Sequence, residues 1–554
     1  MGTLLKSQAE FAGLFRDTQG AELKTLMPED ANEAMGHCVR TKRSKSGAVS
    51  FDLVEMEVSH ASILTGRILS SGRTGSRSRR VARGANGLAG DVSSLRLPAS
   101  VQKLAITMTR HQTDRWRRLG YAARVDFETL PDANAGYDLR EGSIMADAWI
   151  IDACRTPRGI GKAGKGALAG IHPQQLGAAV LRALADRTGI DTADVEDIVW
   201  GTSSQRGAQS GDLGRMSALD AGYDVRTSGV TLDRFCGSGI TSVNMAAASI
   251  MARSEDLVIA GGTEMMSMEG RRGEGPLMMD AGNLRLRARH PQSHQGVCAD
   301  AVATLEGITR QDVDRLGLES QQKAAAAIKA GYFAKSLVPI YREDGGLALD
   351  REEYPRLQTT LEGLAALKPA FTAVADYPLD DKGTTYRGLI LQKYPDLKID
   401  FVHHAGNSSG VVDGSAAILL ASPDYAKAHG LKPRARVVAM ANMGDSPTLM
   451  LNAPVPAARK VLAKAGLALD DIDLFEINEA FAVVTEKFIR DLELDRDKVN
   501  VNGGSIALGH PIGATGSILI GTILDELERR DLRRGLVTMC AAGGMAPAII
   551  IERV

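Results

Sequence analysis

"GVTLDRFCGSGITSVNMAAASIMARSEDLVIAGG", residues 229–262, contains a short apolar strand, a turn around Cys236, a helix of small residues, a second apolar strand and a Gly-Gly. A strand–turn–helix–strand unit of this kind points to an α/β fold with mostly parallel, buried strands. The flanking sequence agrees. AWIIDACR (148–155) and VEDIVWGT (195–202) read as strands, while PQQLGAAVLRALADRTG (173–189) has apolar residues at helical spacing and closes on Gly189. The C-terminal third repeats this order. PVPAARKVLAKAGL (454–467) reads as a helix, and IDLFEINEAFAVVTEKFIRDL (472–492) as a strand running into a helix. NVNGGSIALGHPIGATGSILIGTILDELERR (500–530) reads as turn and helix, and GLVTMCAAGGMAPAIIIERV (535–554) as strand, Gly-Gly, strand. Cys236 and His510 therefore take corresponding places, each ahead of a helix, in two similar halves. Such self-similarity suggests duplication.

Residues 266–400 fall outside the repeat and read as an inserted loop domain. The expected layout is a first half at 145–265, the insertion at 266–400, a return of the first half at 401–424, and a second half at 425–554. Residues 1–144 differ in character. RTKRSKSG and GRILSSGRTGSRSRRVARGANG are basic, Ser/Gly-rich and nearly free of acidic residues, and no sustained period of 3.6 or 2 is found there. They are expected to be a disordered basic extension. A nucleic-acid-binding arm is the competing reading, weakened because no aromatic residues interleave with the charges.

Net charge is −1 with 24% charged and 44% apolar residues, so no global field argues for a nucleic-acid or membrane partner. No apolar run approaches the ~20 residues of a membrane helix. The five cysteines, Cys38, Cys154, Cys236, Cys298 and Cys540, are scattered, with no C-x-x-C pair. No disulfide framework or metal site is expected, and the cytoplasm is the default compartment.

Four motifs carry candidate chemistry. Cys236 precedes a helix, where unpaired amides and the dipole favour a thiolate nucleophile; the competing reading is a buried structural cysteine. Gly237 and Gly239 read as room for a bulky acyl group. Cys540 lies between an apolar strand and a Gly-Gly turn, a place that suits a structural thiol equally well. Asn478 and Glu479 end an apolar strand, where α/β folds place functional groups, although Asn also caps helices. His510 sits among Gly503, Gly504, Gly509, Gly513 and Gly516. Either this is a glycine loop that happens to hold a histidine, or the histidine faces a ligand whose bulk forbids side chains.

Taken together, the motifs place residues 145–554 close to one family. CGSG with Cys236, AGGTEMMS, HHAGNSSGVVDGSAA, PVPAARK, NEAFA, NGGSIALGHPIGATG and CAAGGMAP, in this order, resemble the thiolases, acyl-CoA acyltransferases. The resemblance implies a duplicated α/β/α/β/α layered fold with an inserted loop domain. It implies that Cys236 accepts the acyl group as a thioester. His510 would take the Cys236 proton and, with a water held by Asn478, bind the substrate's thioester oxygen. Cys540 would protonate the leaving acetyl-CoA carbanion, and the backbone amides of Cys236 and Ala542 would form a second oxyanion hole. The glycines around His510 would let the pantetheine arm pass. Both thiols are expected to have pKa values tuned toward neutrality. His294, Phe371, Ser409 and Phe481 match CoA-contacting positions. Coenzyme A is implied as co-substrate with no permanently bound cofactor. A homodimer or homotetramer is implied, with a β-oxidation hydratase/dehydrogenase as candidate partner.

The chain departs from the family pattern in places. Ala542 stands where glycine is frequent, Gln295 where Met often follows the His, and Asp300-Ala301 where an acidic-Asn pair is usual. The segment between LKPAF and HHAGNSSG is long. These differences favour a degradative enzyme, cleaving 3-ketoacyl-CoA with longer or unusual acyl chains, over a biosynthetic acetoacetyl-CoA-forming one. A non-catalytic lipid or CoA carrier would be expected to lack one of Cys236, Asn478, His510 and Cys540, and all four are present.

Overall fold

The computed structural model describes residues 146–271 and 279–554, together with three short strands nearer the N-terminus. The chain divides into two compact units, residues 1–133 and 134–554. In the first, strands Leu23–Thr25, His37–Arg43 and Val49–Glu55 form an antiparallel sheet in that order. These strands lie in a segment read as having no sustained period of 3.6 or 2; the period of 2 is there but short, since VSFDL alternates over five residues before Val54 breaks it. The rest of the expected disordered extension lies outside the described residues.

The second unit is built on nine main strands. β1 is Trp149–Arg155, β2 Asp197–Gly201, β3 Val230–Leu232, β4 Leu257–Met265 and β5 Val412–Ala421. β6 is Ala435–Gly444, β7 Leu474–Ile477, β8 Arg534–Thr538 and β9 Met545–Arg553. They hydrogen-bond in the order β7-β8-β9-β6-β1-β5-β4-β2-β3, with the two-residue strand Gly159–Ile160 also pairing with β5. Each half of the sequence supplies one end of this sheet. The helices that matter for the site are α1 (Pro173–Thr188), α2 (Ser238–Met251), α3 (Gln295–Leu305) and α4 (Arg310–Ala330). They continue with α5 (Pro454–Ala465), α6 (Ala482–Asp491) and α7 (Thr515–Arg529).

The layering follows from the packing. α1 covers β1 and β5, and α5 covers β6 and β9. α2 and α7 touch each other and strands of both halves, so the sheet folds around them. Ile240, Val243 and Ile250 of α2 share one apolar cluster with Leu519, Ile520 and Ile523 of α7, and with Val258 and Ile549 from the two ends of the sheet. Covered on both faces, β4 and β5 are buried at every position, without the alternation of a half-exposed strand, and their few polar side chains, among them Glu264 and Asp413, are buried too.

The strands are not mostly parallel, as the sequence suggested. β2–β3, β2–β4 and β7–β8 are parallel; β4–β5, β5–β1, β1–β6, β6–β9 and β9–β8 are antiparallel. The strand–helix–strand units do form parallel pairs. β5, however, returns from the long insertion running against both β1 and β4, and β9 follows β8 through a tight turn. The insertion also shares a core with the second half: Val297, Val302 and Leu316 lie in one cluster with Phe481, Val484 and Phe488.

The glycines near His510 serve packing rather than an open ligand path. A Cβ on Gly516 would stand 2.1 Å from the Ile240 nitrogen, and one on Gly513 would stand 2.6 Å from the Gly201 carbonyl oxygen. Gly237 and Gly239, expected to leave room for acyl groups, are likewise closed off by Pro547 and by the Gly516 backbone. Bulk does forbid side chains here, and the bulk is the protein's other half.

Candidate active site

Four polypeptide ends converge on the site. β3 leads through Asp233 and Arg234 to Phe235 and Cys236, and α2 begins two residues later with Gly237 as its N-cap. Phe235 has φ 51°, a left-handed conformation that is strained for a bulky side chain. The neighbouring hydrogen bonds hold it there. The Phe235 N–H donates to Asp233 Oδ1 at 2.6 Å, and Ser238 Oγ donates to the Phe235 carbonyl at 2.7 Å while accepting the Arg234 N–H at 2.8 Å. Cys236 is half-buried. The other described cysteines of the fold lie deeper. Burial pushes the Cys154 and Cys298 thiols up to about 12, and each donates to a backbone carbonyl, Val180 and Thr448 respectively.

β7 and β8 are parallel neighbours, so Asn478 and Cys540 emerge from the same sheet edge at their C-terminal ends. Asn478 is fully buried. Its Oδ1 accepts the Ser505 hydroxyl, which turns its Nδ2 toward His510 Nε2, 3.4 Å away. On the other side of the ring, His510 Nδ1 lies 2.6 Å from Thr515 Oγ1, and the Thr515 hydroxyl donates to the Pro511 carbonyl at 2.9 Å. The threonine proton is thus committed, so Oγ1 accepts and His510 Nδ1 carries the ring proton. Nε2 is left as a lone-pair acceptor. Burial lowers the His510 pKa to about 4, so the imidazole is neutral at neutral pH.

Cys540 departs from expectation. Burial and the neighbouring Cys236 push its thiol pKa far above the ordinary range rather than toward neutrality. The cause is its position: 2% exposed, just past the end of β8, where a thiolate would have no solvent. The turn after it is closed by hydrogen bonds between Ala541 and Met545, with Gly543 (φ 78°) and Gly544 (φ 77°) taking the left-handed positions. Ala542 keeps a negative φ, so its side chain does not disturb the turn.

Several residues that shape the site were not singled out from sequence. Glu264, fully buried, accepts the Ser203 N–H at 2.8 Å and the Gly513 N–H at 2.9 Å through Oε2, tying the His510 loop to β2. It lies in AGGTEMMS, so the signal was the motif itself. Glu479, weighed beside Asn478, faces away from the imidazole. It accepts from Ser320 Oγ (2.6 Å), Asn500 Nδ2 (2.9 Å) and the Ile506 N–H (3.1 Å), and so holds the 500–507 loop against β7 and α4. Ser320, Ser505 and Thr515 carried no individual sequence signal.

The nominated CoA-pocket residues also come together. His294 caps α3, its Nδ1 accepting the Gly296 N–H at 3.1 Å. Its ring lies 5.6 Å from Phe371, which lies 5.8 Å from Phe481. Ser408 pairs with Phe481, and the Ser409 N–H donates to Ala480. A cavity of about 290 Å³ opens beside His294, lined also by Val374, Tyr377 and Tyr386. Among the described residues no cluster of three or more His, Cys, Asp or Glu is arranged to hold a metal, and no helix is long and apolar enough to cross a membrane.

Comparison with known proteins places this arrangement. Residues 148–375 match the family model described as thiolase, N-terminal domain, and residues 431–553 the thiolase, C-terminal domain. A steroid 3-ketoacyl-CoA thiolase of Mycobacterium tuberculosis is 40% identical over 421 residues, 74% of this chain and 95% of that protein. A beta-ketoadipyl-CoA thiolase of Acinetobacter baylyi is 39% identical over 430 residues, covering 74% of this chain and all of that protein. The crystal structure of the Bacillus anthracis acetyl-CoA acetyltransferase superposes with TM-score 0.63 at 33% identity, over 74% of this chain and 100% of that one. With both domains matched in order and relatives matched over nearly their full length, the chain belongs to the thiolase family of acyl-CoA acyltransferases.

Proposed function

We propose that the protein cleaves 3-ketoacyl-CoA with coenzyme A, giving acetyl-CoA and a shortened acyl-CoA through an acyl thioester on Cys236. The observation that carries this reading is the tautomer of His510: a neutral ring whose Nε2 lone pair lies beside Asn478. Nε2 takes the Cys236 Sγ proton, and the thiolate attacks the 3-keto carbon. As the C2–C3 bond breaks, the electron pair moves onto the acetyl-CoA unit as an enolate. His510 Nε2–H, now a donor, and a water held by Asn478 Nδ2 stabilise the thioester oxygen.

Cys540 then gives its Sγ proton to the α-carbon. A carbon acid is far weaker than a thiol, so raising the thiol pKa narrows the mismatch between the two. The resulting Cys540 thiolate is a strong base, suited to taking the proton of the incoming CoA thiol. CoA attacks the Cys236 thioester, its tetrahedral oxyanion held by the amides of Cys236 and Ala542, and Cys236 leaves as a thiolate that takes back the proton carried by His510 Nε2, restoring the resting site.

His294, Phe371, Ser409 and Phe481 contact the pantetheine arm in this reading. Their contiguous packing supports it, as does the neighbouring cavity. Degradative use in β-oxidation, a cytoplasmic setting, a homodimer or homotetramer, and a hydratase/dehydrogenase partner belong to the same reading. The departures at Gln295 and Asp300-Ala301 support a substrate other than acetoacetyl-CoA. The test is mass spectrometry after incubation with acetyl-CoA. An acetyl adduct on the Cys236 peptide, absent in a folded Cys236→Ser variant, is expected; label on Cys154 or Cys298 would overturn the assignment.

A further inference from the structure

Two adjacent histidines, His403 and His404, begin the segment that runs alongside residues 480–482, and two aspartates on adjacent helices hold them. His404 is saturated. Its Nδ1 accepts the Gly406 N–H at 3.0 Å, so Nε2 carries the proton donated to Asp314 Oδ1 at 2.9 Å. Asn407 Nδ2 and Arg310 complete the bonding of Asp314. Such a closed network is structural.

His403 is different. Asp300 Oδ1 accepts the backbone N–H groups of Val402 (3.0 Å) and His403 (2.9 Å) and lies 2.7 Å from His403 Nδ1. That oxygen is already an acceptor, so Nδ1 is the donor. His403 Nε2 and Asp300 Oδ2, both on fully buried side chains, have no partner. An unpaired buried nitrogen is a cost that a leucine or phenylalanine here would not carry. What the imidazole gains over an apolar ring is a fixed tilt: the Nδ1–H bond locks its plane. The ring stands at 81° to Phe481 with centroids 5.7 Å apart. Phe481 in turn stands at 77° to Phe371, the next ring along the wall that ends at His294.

We infer that the Asp300–His403 pair is a positioning device for the CoA pocket, holding Phe481, and through it Phe371, at the angle that presents the pantetheine arm to Cys236. The inference rests on the reading of Phe371 and Phe481 as pantetheine contacts. It goes beyond that reading by assigning a role to Asp300 and His403, neither of which was nominated as a pocket residue. Edge-to-face ring pairs depend on mutual orientation, so a ring free to turn should loosen the wall without touching the reacting groups.

Two substitutions separate ring from bond. His403→Phe keeps a ring but loses the Nδ1–H bond, whereas His403→Asn keeps a donor for Asp300 but loses the ring. Asp300→Asn retains Oδ1 as acceptor and serves as the conservative control. Steady-state cleavage of a longer 3-ketoacyl-CoA, 3-ketohexanoyl-CoA, is compared with acylation of Cys236 by p-nitrophenyl acetate, which has no pantetheine arm. Both His403 variants should raise KM for 3-ketohexanoyl-CoA about five- to ten-fold, with kcat and the p-nitrophenyl acetate rate near wild type and a smaller rise in Asp300→Asn, which keeps the acceptor. A KM within about twofold of wild type in His403→Phe overturns the inference, because bulk alone then suffices. Equal losses with both acyl donors overturn it too, since the pair would then act on Cys236 or on the fold. Should His403→Phe not fold, an unchanged KM in His403→Asn is equally decisive. Wild-type protein that p-nitrophenyl acetate does not acylate on Cys236 would overturn the functional reading, and this inference with it.

Discussion

The two halves of the fold bring equivalent helix starts together and give them opposite treatment. In the first, Cys236 precedes α2 half-buried, on a turn where Phe235 is held in the left-handed region. In the second, His510 precedes α7 only 5% exposed, with Thr515 on one nitrogen and Asn478 beside the other. A duplicated scaffold thus supplies two facing helix starts. One leaves its side chain reachable, as the proposed nucleophile requires, and the other is sealed around an imidazole whose tautomer is fixed, as the proposed proton acceptor requires. The contacts of Gly239 and Gly516 let the two approach so closely.

The largest expected effect comes from removing the thiol that stands beside this pair, Cys540. Cys540→Ala should lower carbon–carbon cleavage and solvent-deuterium exchange into acetyl-CoA by about 100- to 10,000-fold. Acylation of Cys236 from acetyl-CoA should persist, because transthioesterification needs no carbon acid. Rapid-quench acyl-enzyme measurement beside the exchange assay checks both, and wild-type exchange in the variant would make Cys540 structural.

Next is the contact between the halves. Gly516→Ala forces a Cβ to within 2.1 Å of the Ile240 nitrogen, so α2 and α7 must separate. A loss of about 1–3 kcal/mol or more is expected by chemical denaturation, together with lost activity. An unchanged midpoint would mean the halves are less tightly joined than their packing implies.

Acid probes the His510 side. Its pKa in the folded protein, lowered to about 4, lies below the ordinary 6.5, so between these values the unfolded chain binds the proton and the folded one does not. This group therefore subtracts stability as pH falls through that window and contributes no pH dependence above it. The acylation rate of Cys236 should stay flat down to about pH 5 and drop as His510 protonates near 4. An inflection near 6.5 would show a solvated imidazole.

The smallest effect should come from Ser505→Ala. Without that hydroxyl the Asn478 amide is free to flip, and kcat should fall by roughly ten-fold with little change in melting temperature, since one hydrogen bond is worth about 1 kcal/mol. Unaltered kcat would separate the orientation of Asn478 from catalysis.

Much of this was legible in advance. The strand–helix order around Cys236 and His510 follows from local periodicity, and Gly189, φ 67°, ends α1 where the sequence places it. The four candidate catalytic residues share a site because each ends an apolar strand or opens a helix, a local signal. Less legible was anything requiring two distant segments to meet. The glycines looked like a ligand path because a sequence does not say what fills the space beside a missing side chain. Strand direction was misjudged because β5 returns only after a long excursion.

The sequence alone determined the duplicated α/β plan, the order of its motifs and the residue types at the reactive positions, because those depend on short-range patterns and on chemistry carried by single side chains. Only the tertiary structure decided the protonation logic. Thr515 fixes the His510 tautomer, Ser505 fixes the Asn478 amide, and burial beside Cys236 raises the Cys540 pKa rather than lowering it. These are properties of desolvation and of hydrogen-bond partners that meet only once the chain has folded.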